Sequence, residues 1–131
     1  MSSAVIPEIQ EIRKQFDDLQ NMFQKYLPKV DPDLIYDLLI RLRENPTITP
    51  MYTLEVFTKA GVDSKAIRDY VYKITGTVPT VYDNGTHYVT NQKLALEMLK
   101  EISDPKDVIE VTGAYTTLGC WFSDSIKRGG I

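Results

Sequence analysis

From Pro7 to Leu27 the apolar residues Ile9, Ile12, Phe16, Leu19, Phe23 and Tyr26 recur at spacings of three and four, with polar residues filling the positions between. That period predicts a helix with one apolar seam. Pro7 suits a first helical turn and Pro28 stops the helix. In heptad terms Ile9 and Phe16 take a positions, Ile12 and Leu19 take d positions, and Glu8 and Arg13 fall at g and e. Those two flanking positions allow a charge pair between parallel chains. Met22 and Leu27 broaden the stripe, which also fits packing on the helix's own domain, so a dimerising seam and an intramolecular one both stay open.

Asp31-Pro32-Asp33 combines a capping side chain, a proline at the first helical position and a carboxylate in the first turn. The helix it opens is expected to run to about Glu44 and to bury Leu34, Ile35, Leu38, Leu39 and Leu42. Thr49-Pro50 repeats the cap-then-proline pattern, and Met51, Leu54, Phe57 and Ala60 predict a second short helix ending at Gly61. Asp63 then caps a third helix, Ser64 to Thr75, which buries Ile67, Tyr70, Val71 and Ile74. Val62 and Ile67 stand at the spacing of a hydrophobic staple.

Beyond Gly76, Asn84-Gly85 lies between β-branched and aromatic runs, a strong signal for a two-residue hairpin turn. Pairing sets Asp83 opposite Thr86, Tyr82 opposite His87 and Val81 opposite Tyr88. A further helix, capped by Thr90 or Asn91, is expected to bury Leu94, Ala95, Met98, Leu99 and Ile102. Val108 to Thr112 reads as a strand, and Tyr115 to Phe122 as a last strand or packed arm.

Three helices, the last two joined through Ala60-Gly61-Val62-Asp63, followed by a hairpin, give an element order that resembles the winged helix-turn-helix superfamily. The run Ala60-Gly61-Val62-Asp63-Ser64-Lys65-Ala66-Ile67-Arg68 is similar to the junction of that motif, and Phe57 departs from it where a small residue is usual. The resemblance spans roughly residues 31 to 103. It implies an α+β fold, mostly α: a winged helix-turn-helix with an N-terminal amphipathic helix (residues 1–30), the winged domain (31–112) and a C-terminal strand or arm (113–131).

The resemblance further implies duplex DNA as partner and a role in transcription or chromatin regulation, with Ser64 to Thr75 as recognition helix. Ser64, Lys65, Arg68, Tyr72 and Lys73 then face the DNA, and Asn84, Thr86 and His87 belong to the wing. Ile9, Ile12, Phe16, Leu19, Phe23 and Tyr26 would join two copies as a homodimer. The wing tip carries no Lys or Arg, which leaves a second reading open: a winged-helix adaptor that docks on a protein assembly without binding DNA.

Composition narrows the chemistry. The 131 residues carry 15 Lys and Arg against 18 Asp and Glu, a net charge of −3, which excludes a uniformly basic nucleic-acid coat. Across Asp63 to Thr90, Lys65, Arg68 and Lys73 are balanced by Asp63, Asp69 and Asp83, so the expected DNA-facing part is neutral. The single Cys120 permits no disulfide within one chain and no multi-thiolate metal site, and it reads as a small hydrophobe before Trp121. The single His87 is expected as a cross-strand neighbour of Tyr82, not a catalyst, and Asp31, Asp33 and Asp37 suit helix capping. No phosphate loop, dinucleotide fingerprint or zinc-protease motif occurs, so neither enzymatic activity nor a metal or cofactor is expected. Without a basic leader or a long apolar run, a cytoplasmic location with no membrane partner is expected.

Overall fold

The computed structural model describes residues 6–116. In chain order the elements are α1 (Pro7–Tyr26), α2 (Pro32–Glu44), β1 (Met51–Thr58), α3 (Ser64–Thr75), β2 (Thr80–Tyr82), β3 (His87–Lys93), α4 (Leu96–Ser103) and β4 (Val108–Tyr115). The fold is α+β. Its four strands form one antiparallel sheet in the order β2-β3-β1-β4. From β1 onward the connectivity is β-α-β-β-α-β, two interleaved split βαβ units of the ferredoxin-like kind.

Local capping set two helices where the sequence predicted them. The Asp31 carboxylate accepts from the Asp33 amide at 3.0 Å and opens α2, and the Asp63 carboxylate accepts from the Lys65 amide at 3.3 Å and opens α3. The hairpin also has the expected pairing, Tyr82 opposite His87 and Val81 opposite Tyr88. Its tip, however, folds back onto the β1–α3 loop. The Thr58 hydroxyl donates to the Gly85 carbonyl, and a Cβ added at Gly85 would lie 2.5 Å from the Val62 carbonyl oxygen. With φ at +94°, position 85 demands glycine twice over.

The helix expected across 49–60 is instead the strand β1, and this removes the helix-turn-helix at Gly61. That glycine, at φ +92°, joins a strand to a helix. The residues permit both periods, since Met51, Leu54 and Phe57 mark a helical face while Tyr52, Leu54, Val56 and Thr58 alternate. Alternation wins because β1 is the central strand, bonded to β3 on one side and β4 on the other. Tyr, Thr, Val and Phe also favour a pleated, half-buried surface. The segment around 90–93 is likewise corrected: Thr90 and Asn91 do not cap a helix, because β3 runs to Lys93 against β1, and α4 starts at Leu96 after Ala95.

One face of the sheet is covered. Tyr52, Leu54 and Val56 from β1, Tyr88 from β3 and Val111 from β4 meet Ile35 and Leu38 of α2, Val71 of α3, and Leu99 and Ile102 of α4 in one core. Burial of each such side chain stabilises the fold by about 1.5–3 kcal/mol relative to exposure. Phe23 and Leu27, from the end of α1, belong to the same core. The outer edge of β4 is closed where Val30 pairs with Val111, the Asp31 amide donating to the Val111 carbonyl at 2.9 Å. β4 itself continues through 113–115, positions expected to begin a separate arm.

Candidate interaction surface

α1 divides at Leu19. Phe23 is 7% exposed and lies in the core, whereas Ile9, Ile12 and Phe16 on the same seam are 42%, 64% and 53% exposed. Leu19 is half-buried against the core, and Tyr26 is exposed beside α4, its carbonyl accepting from the Lys100 ammonium at 3.3 Å. Phe23 is therefore corrected from a dimerisation residue to a core residue, because the domain body reaches only the last two turns of the helix. The first three turns carry an apolar row that no described residue covers.

Some polar groups of this free half are paired within the helix: Lys14 with Asp18 at 2.8 Å, and the Gln15 amide donating to Glu11 at 2.6 Å. Asp18 beside the Lys14 ammonium raises its pKa. Glu8 and Arg13, which flank the seam, pair with no other described residue. This half of α1 thus presents a row of large exposed apolar side chains bordered by hydrated charges of both signs.

The residues expected to face DNA do not form one surface. Lys65, Arg68 and Tyr72 of α3 lie together around a shallow depression with Asp69 and Val78, and Lys73 is exposed near the end of the same helix. Lys65 is already engaged by Asp69 at 2.9 Å, which raises the lysine pKa. Ser64 is half-buried at the start of α3, next to the hairpin tip. Thr86 is tied down as well: its hydroxyl donates to the Asp83 carbonyl at 3.0 Å and its carbonyl accepts from the Thr58 amide at 2.9 Å. Asn84 is exposed at the tip, in the left-handed region at φ 57°.

His87 faces the other side of the sheet. The register places it opposite Phe57 and Tyr82, on the face that no described helix covers. Its ring stacks on Phe57 at 4.6 Å, lies 5.4 Å from Tyr82, and holds a 3.1 Å contact between Nε2 and the Glu55 carboxylate. The Tyr82–His87 pairing was readable from the hairpin; Phe57 and Glu55 were not, because they lie on the strand that the helical period concealed.

Two further groupings escaped the sequence pattern. On α2, Asp37 accepts from the Tyr52 hydroxyl at 2.6 Å and from Arg41 at 3.0 Å, and the Arg41 guanidinium lies 3.5 Å from the centre of the Tyr115 ring. Burial, followed by the Asp37 hydrogen bond, pushes the Tyr52 phenol well above its ordinary range. Between α3, α4 and the sheet, an apolar cavity of about 180 Å³ is lined by Ala66, Ile67, Tyr70, Tyr88 and Ile102 among others. The Tyr70 hydroxyl closes its rim by donating to the Glu101 carbonyl at 3.0 Å. These groups share no nucleophile and base within hydrogen-bond reach, and among the described residues no three His, Cys, Asp or Glu side chains converge to hold a metal ion.

No protein-family model matches the chain, and neither a curated protein nor a solved structure matches it. No described helix is long and apolar enough to cross a membrane. Cys120, Trp121 and Phe122 lie outside the described residues.

Proposed function

We propose that this protein is a non-catalytic assembly module whose working surface is the N-terminal half of α1. The observation that carries this reading is the split of one continuous seam: Phe23 is built into the domain core while Ile9, Ile12 and Phe16 are held out in solvent on the same rigid helix. Three large apolar side chains in a row gain on the order of 1.5–3 kcal/mol each from burial, so a partner that covers them is strongly favoured. The helix presents them preformed, and association has little backbone ordering to overcome.

Binding of duplex DNA through α3 is the competing reading. It has a weaker physical basis, because Asp69 neutralises Lys65, the hairpin tip is docked on Val62, and His87 faces away. Two measurements on the full chain separate the readings. Sedimentation velocity across a concentration series is expected to show association that Ile12→Asp removes. Titration of random duplex DNA at low salt is expected to show no binding. Association that survives Ile12→Asp, or duplex binding that weakens steeply with salt and is lost in Arg68→Ala, would overturn the proposal.

A further inference from the structure

A second site, separate from α1, lies between α3, α4 and the sheet. We infer that the apolar cavity there binds a small uncharged molecule, an apolar ring carrying one hydrogen-bond acceptor, which the Tyr88 hydroxyl engages. Buried phenols ordinarily find a hydrogen-bond partner. Tyr52 bonds Asp37 and Tyr70 bonds the Glu101 carbonyl, but the hydroxyl of Tyr88, a residue 3% exposed that lines the cavity, bonds no described residue. Among the described residues, the fully enclosed polar side-chain atoms without partners belong to Gln92. The Tyr88 oxygen therefore still meets open space, and the cavity supplies it. Burial holds this phenol above its ordinary pKa, so it stays a neutral donor through neutral pH.

The walls of the cavity are tied in place. The Tyr70 hydroxyl bonds a carbonyl in the last turn of α4 at 3.0 Å, which fixes the spacing of α3 and α4. At the sheet end, the Lys59 amide donates to the Asp107 carbonyl at 2.8 Å and joins the end of β1 to the loop before β4. Ala66 and Asp107, both exposed, mark the mouth. The volume of about 180 Å³ sets the size of the occupant. An apolar cavity of about 150 Å³ accommodates benzene, so one ring with a small substituent fits. Val62, Ile67, Val71, Ile102 and Val108 supply the apolar contact. No Lys or Arg lines the cavity and the Asp107 carboxylate stands at its mouth, so an anion is disfavoured there.

Three probes test this by amide-resolved NMR titration of the full chain: acetophenone carries a ring and an acceptor, toluene a ring alone, and benzoate a ring and a negative charge. Acetophenone and toluene are expected to shift the amides of Val62, Ala66 and Ile102 saturably, and benzoate to shift none of them. Tyr88→Phe keeps the ring and removes the donor; it is expected to weaken acetophenone about tenfold and to leave toluene no weaker. Ala66→Leu narrows the mouth from an exposed helical position and is expected to weaken both probes. Ile12→Asp is expected to alter neither titration, since α1 lines no part of the cavity. Native amide dispersion in each variant separates lost affinity from lost folding. Absence of saturable shifts at these amides overturns the site, as does affinity that Ala66→Leu leaves unchanged. Equal affinity for acetophenone in wild type and Tyr88→Phe overturns the role of the hydroxyl, and benzoate binding as tightly as acetophenone overturns the uncharged class.

Discussion

The two halves of α1 are made from the same pattern and meet opposite fates. Ile9, Ile12 and Phe16 are exposed, while one heptad further on Phe23 is buried together with Leu27 against Val30, α2 and the sheet. Helix formation is common to both, so amphipathicity alone does not say what covers the apolar face. What differs is the reach of the domain body: the segment after Leu27 turns back at Pro28 and pairs with β4 through Val30, which anchors only the end of the helix. The buried half contributes to folding, and the exposed half does not.

This contrast makes substitutions separable by what they change. Phe23→Ala, in the buried half, is expected to lower unfolding stability by about 3 kcal/mol in urea titrations at a concentration where the chain is monomeric. Next in size is a change in the body that leaves α1 untouched. Gly85→Ala, which meets the Val62 carbonyl at a strained φ, is expected to cost about 2 kcal/mol and to leave the association constant of the folded chain unchanged. An effect of Gly85→Ala on association would break the separation between body and seam.

A smaller effect, of opposite sign, is expected at Gln92. Both polar atoms of its buried amide lack hydrogen-bond partners, so Gln92→Met removes an unsatisfied group at similar volume. Thermal unfolding should show a gain of about 1 kcal/mol. A loss would mean that the amide has partners in solution.

The core also fixes a pH dependence. Burial raises the phenols of Tyr52 and Tyr88 above their ordinary value, with the Asp37 hydrogen bond adding to Tyr52 and the nearby Tyr70 to Tyr88. Below about pH 10 both are neutral whether folded or unfolded; above it the unfolded chain releases these protons first. Stability is therefore expected to be level through neutral pH and to fall as the pH rises beyond about 10, with a shallower fall in Tyr52→Phe. Equal slopes in the two proteins would remove Tyr52 from this account. The smallest expected change is Phe16→Ala in the monomer, within about 0.5 kcal/mol of wild type, although it weakens association. A loss as large as that of Phe23→Ala would show that the free half of α1 packs on its own domain.

The apolar seam of α1 was legible before the fold was known, because the a/d spacing located it. What the pattern could not supply was the point at which the domain begins to cover the seam, because that depends on contacts between Phe23 and residues such as Leu34 and Val111, far along the chain. The surface expected on α3 failed to gather for a related reason. Neighbours in the hairpin point to opposite faces of a sheet, so His87 and the α3 residues ended on different sides once β1 took the central position.

By itself the sequence determined the elements whose signals are local: Asp31 and Asp63 as caps, Pro7 and Pro28 as the bounds of α1, and Asn84-Gly85 as the hairpin turn. These depend on hydrogen bonds and backbone angles within a few residues, which a linear pattern encodes directly. Tertiary structure alone decided that Met51–Thr58 is a strand, since its hydrogen bonds go to His87–Lys93 and Val108–Tyr115, about 30 to 60 residues away. The same long-range pairing separated the helix-turn-helix expectation from the split βαβ sheet, and it determined which half of α1 the described domain body covers.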